Sequence, residues 1–71
     1  MQKQNATRME NDVRARRLAL GLSLRRLAEL CGLTPSDLSR IERGLTDPRL
    51  SVARRIAEAL QSTVDELWPA E

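Results

Sequence analysis

The sequence predicts an all-α protein, and three observations indicate that fold class. Apolar residues recur at helical spacing, most clearly at Val52, Ala53, Ile56, Ala57 and Leu60. No stretch alternates apolar and polar residues over the length of a strand, and Phe and Tyr, which favour strands, are missing. Gly and Pro divide the chain into short segments. With 71 residues, the chain has room for one domain with a small core.

Capping signals place the first three predicted helices. Residues 7–10, TRME, form a capping-box pattern that predicts the start of the first helix, and Gly21 predicts its end. A second helix is predicted over 24–31 and is ended by Gly32. Thr-Pro-Ser-Asp then begins a third helix over 34–44, because it combines a cap, a Pro in the first turn and an early acid.

The remaining helices follow a loop at residues 45–48. The fourth helix is predicted to run to about Leu60. Residues 63–66, TVDE, form another capping box, and we expect them to open a short fifth helix that Pro69 closes.

Charge is distributed unevenly along the chain. The net charge is +2, but residues 1–26 carry +5 and residues 27–71 carry −3. Eleven of the twelve basic residues are Arg. Arg recognises phosphates and base edges with two parallel hydrogen bonds, which Lys cannot do, so the bias favours a nucleic-acid partner. An Arg-rich genome would produce the same bias without a functional cause.

Several other function classes are disfavoured by composition. The chain has no His and one Cys, so neither a disulfide nor a structural zinc site is expected. We expect no cofactor, small-molecule ligand or enzymatic activity, because no nucleophile is paired with a base. No apolar run approaches the roughly 20 residues of a membrane span, and no signal-peptide core is present. These features predict a cytoplasmic protein, or one associated with the nucleoid.

Two charged residues fall where the helical period predicts burial. The first stripe comprises Met9, Val13, Arg17 and Leu20, and the third-helix stripe comprises Leu38, Ile41, Glu42 and Leu45. Arg17 and Glu42 are therefore predicted either to form a partly buried ion pair between the two helices or to reach water after a small rotation of the helices. Periodicity alone does not decide between these alternatives. An isolated buried charge would be strongly unfavourable.

The spacing of residues 24–45 is that of a helix-turn-helix. Two helices and their turn face a common core through apolar residues at Leu27, Cys31, Leu33, Leu38 and Ile41. Ala28 is small where helices cross closely, and Gly32 occupies the turn, where a positive φ costs it least. We therefore assign the helix-turn-helix to about residues 24–43, within a domain at 7–71 that follows a flexible tail at 1–6.

The same residues resemble the Cro- and lambda-repressor-like, or XRE-type, helix-turn-helix regulators. The matching pieces are Arg17 with LGLS at 20–23, LA at 27–28, GLT at 32–34, LSRIERG at 38–44, Pro48, IAEAL at 56–60 and TVDEL at 63–67. This resemblance covers about residues 10–68 and implies a compact five-helix bundle. It also implies a salt bridge between Arg17 and Glu42, and a third helix that lies in the DNA major groove.

The resemblance implies that four residues face the bases. They are Pro35, Ser36, Ser39 and Arg40. Arg40 is expected to read a guanine edge, which is worth about 1–3 kcal/mol of discrimination, although contact with a phosphate is an alternative. The two Ser side chains discriminate poorly between bases, and their alternative role is only to be small enough for the helix to approach the DNA closely. Asp37 is expected to favour the helix dipole rather than to accept from a cytosine.

The resemblance also places three positions near phosphates, namely Ser23, Arg43 and Thr46, and for Arg43 contact with a base is the alternative. Further candidates for phosphate contact are Arg25, Arg26 and Arg49, with a solvated surface as their alternative. The sequence departs from the family pattern in five places. Pro35 has no polar side chain, so it either contacts a thymine methyl or only sets the start of the helix. Leu24 replaces a common Gln, Arg49 a common Ser cap, Gln61 a usual Gly, and Ser62 an apolar residue.

The last apolar residues predict a dimer contact. Val64, Leu67 and Trp68 lie on the short fifth helix, and Trp68 is the one aromatic residue of the chain. Trp is favoured at interfaces, although it could instead cap the core. A marginal chain that contacts one half-site would gain from forming a two-fold dimer.

These observations favour a transcriptional regulator that binds a palindromic operator as a homodimer and regulates its own gene. Without an attached ligand domain, its occupancy is expected to follow its own concentration. Small repressors and the controller proteins of restriction–modification systems act in this way, and a controller could also contact RNA polymerase. The alternative is an antitoxin or another protein-interaction module whose main partner is a protein.

Overall fold

The computed structural model describes residues 10–70, and the regular structure in that range is entirely helical, which confirms the predicted all-α fold. Its helices are α1 (Val13–Ala19), α2 (Leu24–Cys31), α3 (Pro35–Glu42), α4 (Leu50–Ala59) and α5 (Val64–Leu67). The predicted span of α2 is correct at both ends. The predicted flexible tail, residues 1–6, lies outside the described residues.

The start of α1 differs from the prediction. Residues 7–9 of the predicted capping box lie outside the described range, but residues 10–12 are described and are not helical. Instead, the Asn11 Oδ1 accepts a hydrogen bond from the Val13 amide at 3.0 Å and so satisfies a free donor at the first turn. The helix therefore begins at Val13, several residues later than the sequence pattern indicated.

Four of the helices end with the same hydrogen-bond pattern. After α2, the Leu33 amide donates to the Ala28 carbonyl at 2.9 Å and the Gly32 amide donates to Glu29 at 3.3 Å, which is a Schellman motif. The same pattern follows α1, α3 and α4. At the end of α4 the left-handed position is held by Gln61, with a φ of 56°, where a Gly is usual.

Arg16 fixes this unusual turn. Its Nε donates to the Leu60 carbonyl at 2.9 Å, and its Nη2 donates to the Gln61 carbonyl at 3.0 Å. These bonds satisfy carbonyls that the end of α4 leaves free. The connection between α4 and α5 therefore forms although Gln61 occupies a position where Gly is usual.

The core lies where α2 packs against α3 and α4, and where α4 packs against α5. Its fully buried side chains include Val13, Leu27, Cys31, Leu38, Ile56, Leu60 and Leu67. Two residues of the predicted stripes are not in it, because Leu20 is 37% exposed and Leu45 is 52% exposed. Both follow the end of a helix and lie in or next to the closing turn, where helical periodicity no longer determines which way a side chain points.

A short segment before α1 joins distant parts of the fold. The Asn11 Nδ2 donates to the Ile41 carbonyl in α3 at 2.8 Å. The Asp12 amide donates to the Leu67 carbonyl at the end of α5, also at 2.8 Å. The first described residues are therefore fixed to both α3 and α5.

Candidate nucleic-acid interface

The start of α3 is closely specified by local sequence. The Thr34 Oγ1 accepts a hydrogen bond from the Asp37 amide at 3.0 Å, and Pro35 occupies the first turn, where its missing N–H costs nothing. The carboxylate of Asp37 lies in the same turn, where it is favoured by the helix dipole. Such an arrangement gives α3 a fixed beginning on the surface of the molecule.

The two faces of α3 are chemically distinct. Leu38 is 0% exposed and Ile41 is 6% exposed, so this side is buried in the core. Ser36, Ser39 and Arg40 lie on the opposite side, at spacings of three and four residues. Ser36 and Arg40 are exposed and Ser39 is half-buried. Small side chains therefore surround one long cation on the outward face.

Pro35 lies at the flank of this face rather than in its centre. It is exposed, but it precedes Ser36 by one residue, which turns it by about 100° around the helix axis. Its contribution to the outward surface is therefore an apolar edge next to the first turn.

A buried ion pair braces α3 against the rest of the molecule. Arg17 Nε lies 2.7 Å from Glu42 Oε2, and Arg17 Nη2 donates to Glu42 Oε1 at 3.2 Å. The third donor, Nη1, donates to the Leu22 carbonyl at 2.9 Å, immediately before α2. The side chains of Arg17 and Glu42 are 9% and 4% exposed, so the pair is largely shielded from water. Arg17 thus joins α1, the start of α2 and the end of α3.

The start of α2 presents polar groups to the surface. The Ser23 Oγ accepts from the Arg26 amide at 3.0 Å, which leaves other amides of the first turn without an intrahelical partner. Arg25 and Arg26 are both exposed. Arg26 also forms an exposed ion pair with Glu29 at 3.2 Å. A helix start of this kind attracts anions.

The segment after α3 carries the other predicted phosphate contacts. Arg43 is exposed and immediately follows the helix, and Thr46 is exposed in the loop. Arg49 is exposed directly before α4 and makes no side-chain capping bond there. The three side chains all follow the end of α3 within the same connection.

The predicted dimer residues separate into core and surface. Leu67 is 2% exposed and belongs to the core, which leaves little of its side chain for the dimer contact that the sequence predicted. Val64 and Trp68 pack against the core and remain partly exposed. The indole Nε1 of Trp68 is buried and makes no hydrogen bond within the described part of the chain.

Sequence reasoning missed Asn11, which ties the end of α3 to the start of α1. No sequence signal could have found it, because its partner lies 30 residues away and is a backbone carbonyl. Arg55 was missed for the same reason, since its Nη1 donates to the Cys31 carbonyl at 3.1 Å. Both side chains hold elements of the helix-turn-helix in place.

Cys31 lies inside the core and is 1% exposed. Burial raises the pKa of its thiol, and the neighbouring Arg55 guanidinium partly opposes that rise. Within residues 10–70, no cluster of potential metal ligands occurs. None of the helices in that range combines the length and apolar character needed to cross a bilayer.

Comparison with known families is consistent with this geometry. A family described as helix-turn-helix matches residues 13–67, which include all five helices. The chain belongs to this helix-turn-helix family, of XRE type. The resemblance inferred from the LSRIERG and IAEAL motifs is thereby confirmed.

The curated relatives that match are described as transcriptional regulators. An uncharacterized HTH-type transcriptional regulator of Mycobacterium tuberculosis is 38% identical over 56 residues, which is 79% of this chain and 40% of that protein. The chain therefore spans well under half the length of the curated relatives it matches.

Two of the solved structures that match show the shared fold. The restriction–modification controller protein C.AhdI of Aeromonas hydrophila has a TM-score of 0.72 and 37% identity, covering 76% of this chain and 82% of that one. The clp gene regulator ClgR of Corynebacterium glutamicum has a TM-score of 0.71 and 33% identity, covering 73% of this chain and 55% of that one.

Proposed function

We propose that this protein is a sequence-specific transcriptional regulator that binds double-stranded DNA as a homodimer on a palindromic operator. The observation that carries the proposal is the outward face of α3, where Arg40 is exposed among small Ser side chains, opposite the buried Leu38 and Ile41. A helix with this surface can enter the major groove closely, because little side-chain bulk separates its backbone from the bases.

The surrounding groups supply the contacts that orient such a helix. Phosphates are bound by the amides at the start of α2, next to Ser23, and by Arg25 and Arg26 on its first turn. On the other side of α3, the DNA backbone is bound by Arg43, Thr46 and Arg49. The Arg17–Glu42 pair fixes the distance between these two sets of phosphate-binding groups, because Arg17 also donates to the Leu22 carbonyl directly before α2.

Base recognition in this arrangement rests mainly on Arg40. Its guanidinium pairs with the O6 and N7 of a guanine, which is worth about 1–3 kcal/mol. Ser36 and Ser39 add weak hydrogen bonds, and Pro35 offers an apolar contact to a thymine methyl. The remaining specificity comes from the shape of the DNA, since few side chains on this face can distinguish bases.

Dimerisation through the α5 region is the reason that a palindromic operator is proposed. Val64 and Trp68 are partly exposed there, and a two-fold pair would place two copies of α3 about 34 Å apart on successive major grooves. The likeness to a controller protein, of which 82% is covered, supports a controller-like role with autoregulation. Binding to the chromosome would place the protein in the cytoplasm at the nucleoid.

The test begins with selection of bound sequences from a random duplex library. We expect an inverted repeat with half-sites about one helical turn apart. Arg40→Ala should then weaken binding to the selected site by about 10- to 100-fold, and binding to random DNA much less. Fluorescence anisotropy with both duplexes measures the two losses.

Arg40→Lys is the matched control, because it keeps the charge and removes the paired geometry. Loss of selectivity in both variants supports base reading. Equal weakening on both duplexes in Arg40→Ala, with full recovery in Arg40→Lys, would make Arg40 a phosphate contact. Selection that returns no preferred sequence would contradict the proposed function.

A further inference from the structure

A shallow groove between α4 and α5 carries charges of both signs. Arg54 and Glu58 line it from α4, and Asp65 lines it from the first turn of α5. The lining also includes the apolar Ala57 and Val64, of which Val64 is partly exposed, and the polar Ser62 and Thr63. The groove therefore combines one cation and two carboxylates with a small apolar surface.

These three charges have no ionic partner in the described part of the chain. Arg54, Glu58 and Asp65 are exposed, and none of them takes part in an ion pair there. Arg54 precedes Glu58 by four residues on the same helix, which is the less favourable order for an intrahelical pair. The structure accordingly leaves the three charges available at one surface.

Such a surface is complementary to itself. In a two-fold dimer each copy presents the same patch, so the contact is favourable when the cation of one copy lies opposite the anions of the other. An Arg54 that faces the carboxylates of a second copy creates this contact twice, once on each side of the axis.

We propose that this groove is the contact surface for a second copy of the chain, with Arg54 of each copy paired to the Glu58 and Asp65 carboxylates of the other. The inference rests on the proposed homodimer and assigns its charged contacts. It also extends the interface from the predicted helix α5 to the adjacent face of α4. Opposite charges at the groove fix the relative orientation of the copies, while the partly exposed Val64 contributes apolar burial.

Charge reversal tests the pairing. Arg54→Asp and Asp65→Arg should each weaken the homodimer by roughly 10- to 30-fold at low ionic strength, because two attractive contacts per dimer become repulsive. An equimolar mixture of the two variants should recover association in part, since the heterodimer keeps the native contacts on one side of the axis and regains an attractive contact between positions 54 and 65 on the other. A parallel mixture of Arg54→Asp with Glu58→Arg tests the second carboxylate. Sedimentation equilibrium over a concentration series measures the dissociation constant of each dimer.

Two further reversals serve as controls for net charge. Arg14→Asp and Asp47→Arg change the same charges at exposed positions that do not line the groove, and they should leave association unchanged. Circular dichroism confirms that every variant remains helical. Recovery in at least one of the two mixtures supports the proposal.

The outcomes separate this inference from the proposed function. A wild-type dimer whose association is insensitive to the groove reversals would overturn the charged contact and leave the homodimer intact. Equal weakening without recovery in either mixture would also overturn the pairing. A wild-type protein that stays monomeric with and without operator DNA would contradict the homodimer itself.

Discussion

At the scale of single residues, the pair of Arg17 and Glu42 has the clearest role. Helical spacing predicted that both positions turn inward, but it left open whether the charges meet or reach water. Spacing gives the direction of a side chain and not the position of its far end, which depends on the neighbouring helix. The bond from Arg17 to the Leu22 carbonyl was likewise beyond sequence reasoning, because backbone carbonyls leave no trace in the sequence.

Glu42→Ala should lower the free energy of unfolding by about 3–5 kcal/mol, because it leaves a buried guanidinium without its anion. A loss of this size corresponds to a melting temperature lower by about 12 °C or more in a small domain. Thermal unfolding followed by circular dichroism measures it.

Glu29→Ala is the matched control for this change. It removes the partner of Arg26 from a pair whose side chains are both 59% exposed, so the loss should stay below about 1 kcal/mol. Similar losses for the two variants would contradict a special contribution from the buried pair.

At the scale of helices, boundaries were predictable wherever a local signal determines them. Ser23 and Gly32 define α2, and Thr34 defines the start of α3, because each acts on backbone groups within a few residues. The start of α1 was not predictable, since it depends on Asn11, which accepts from the Val13 amide and donates to the Ile41 carbonyl in α3. The same logic explains Leu45, which is exposed because α3 ends before it.

Gly32→Ala should destabilise the fold more than Gly21→Ala does, although both positions have nearly equal φ angles of 71° and 72°. Both variants incur about 1–2 kcal/mol from an L-residue in the left-handed region. A Cβ at position 32 would also lie 3.3 Å from Arg55 Nη1, whereas one at position 21 meets nothing within 4 Å.

The contact with Arg55 adds to the cost because its Nη1 donates to the Cys31 carbonyl at the end of α2. Loss of that bond adds about 0.5–1.5 kcal/mol. Urea denaturation of the two variants measures the difference between their free energies of unfolding. Equal stabilities would mean that Arg55 moves aside without cost.

At the scale of the whole molecule, the division of α3 into a core face and an outward face was predictable from spacing alone. The groove between α4 and α5 was not, because Arg54 and Asp65 become neighbours only once the turn at Gln61 sets the angle between the helices. Leu67 shows the same limit, since its apolar character fits core and interface equally well and only packing assigns it to the core.

Trp68→Ala should shift the protein toward monomer and roughly halve the salt dependence of DNA binding. Each neutralised phosphate contributes a slope of about −0.9 to the logarithmic plot of affinity against salt, and a monomer engages one half-site in place of two. Sedimentation velocity and anisotropy titrations at several NaCl concentrations measure both effects.

Circular dichroism is needed for this variant as well, because Trp68 also packs against the core. A folded variant that remains dimeric would place the interface away from Trp68. A monomer with an unchanged salt slope would indicate that the wild-type protein binds DNA through one copy.

The bond between the Asp12 amide and the Leu67 carbonyl has a consequence for how such a unit combines with others. It joins Asp12, which directly precedes the matched family region 13–67, to Leu67, the last residue of that region, so the chain enters and leaves the bundle at nearly the same place. A unit of this geometry can be inserted into a surface loop of a host protein, or joined to a partner domain at either side, without stretching its own helices. The bond between Asp12 and Leu67 therefore also allows the whole bundle to be joined to other domains.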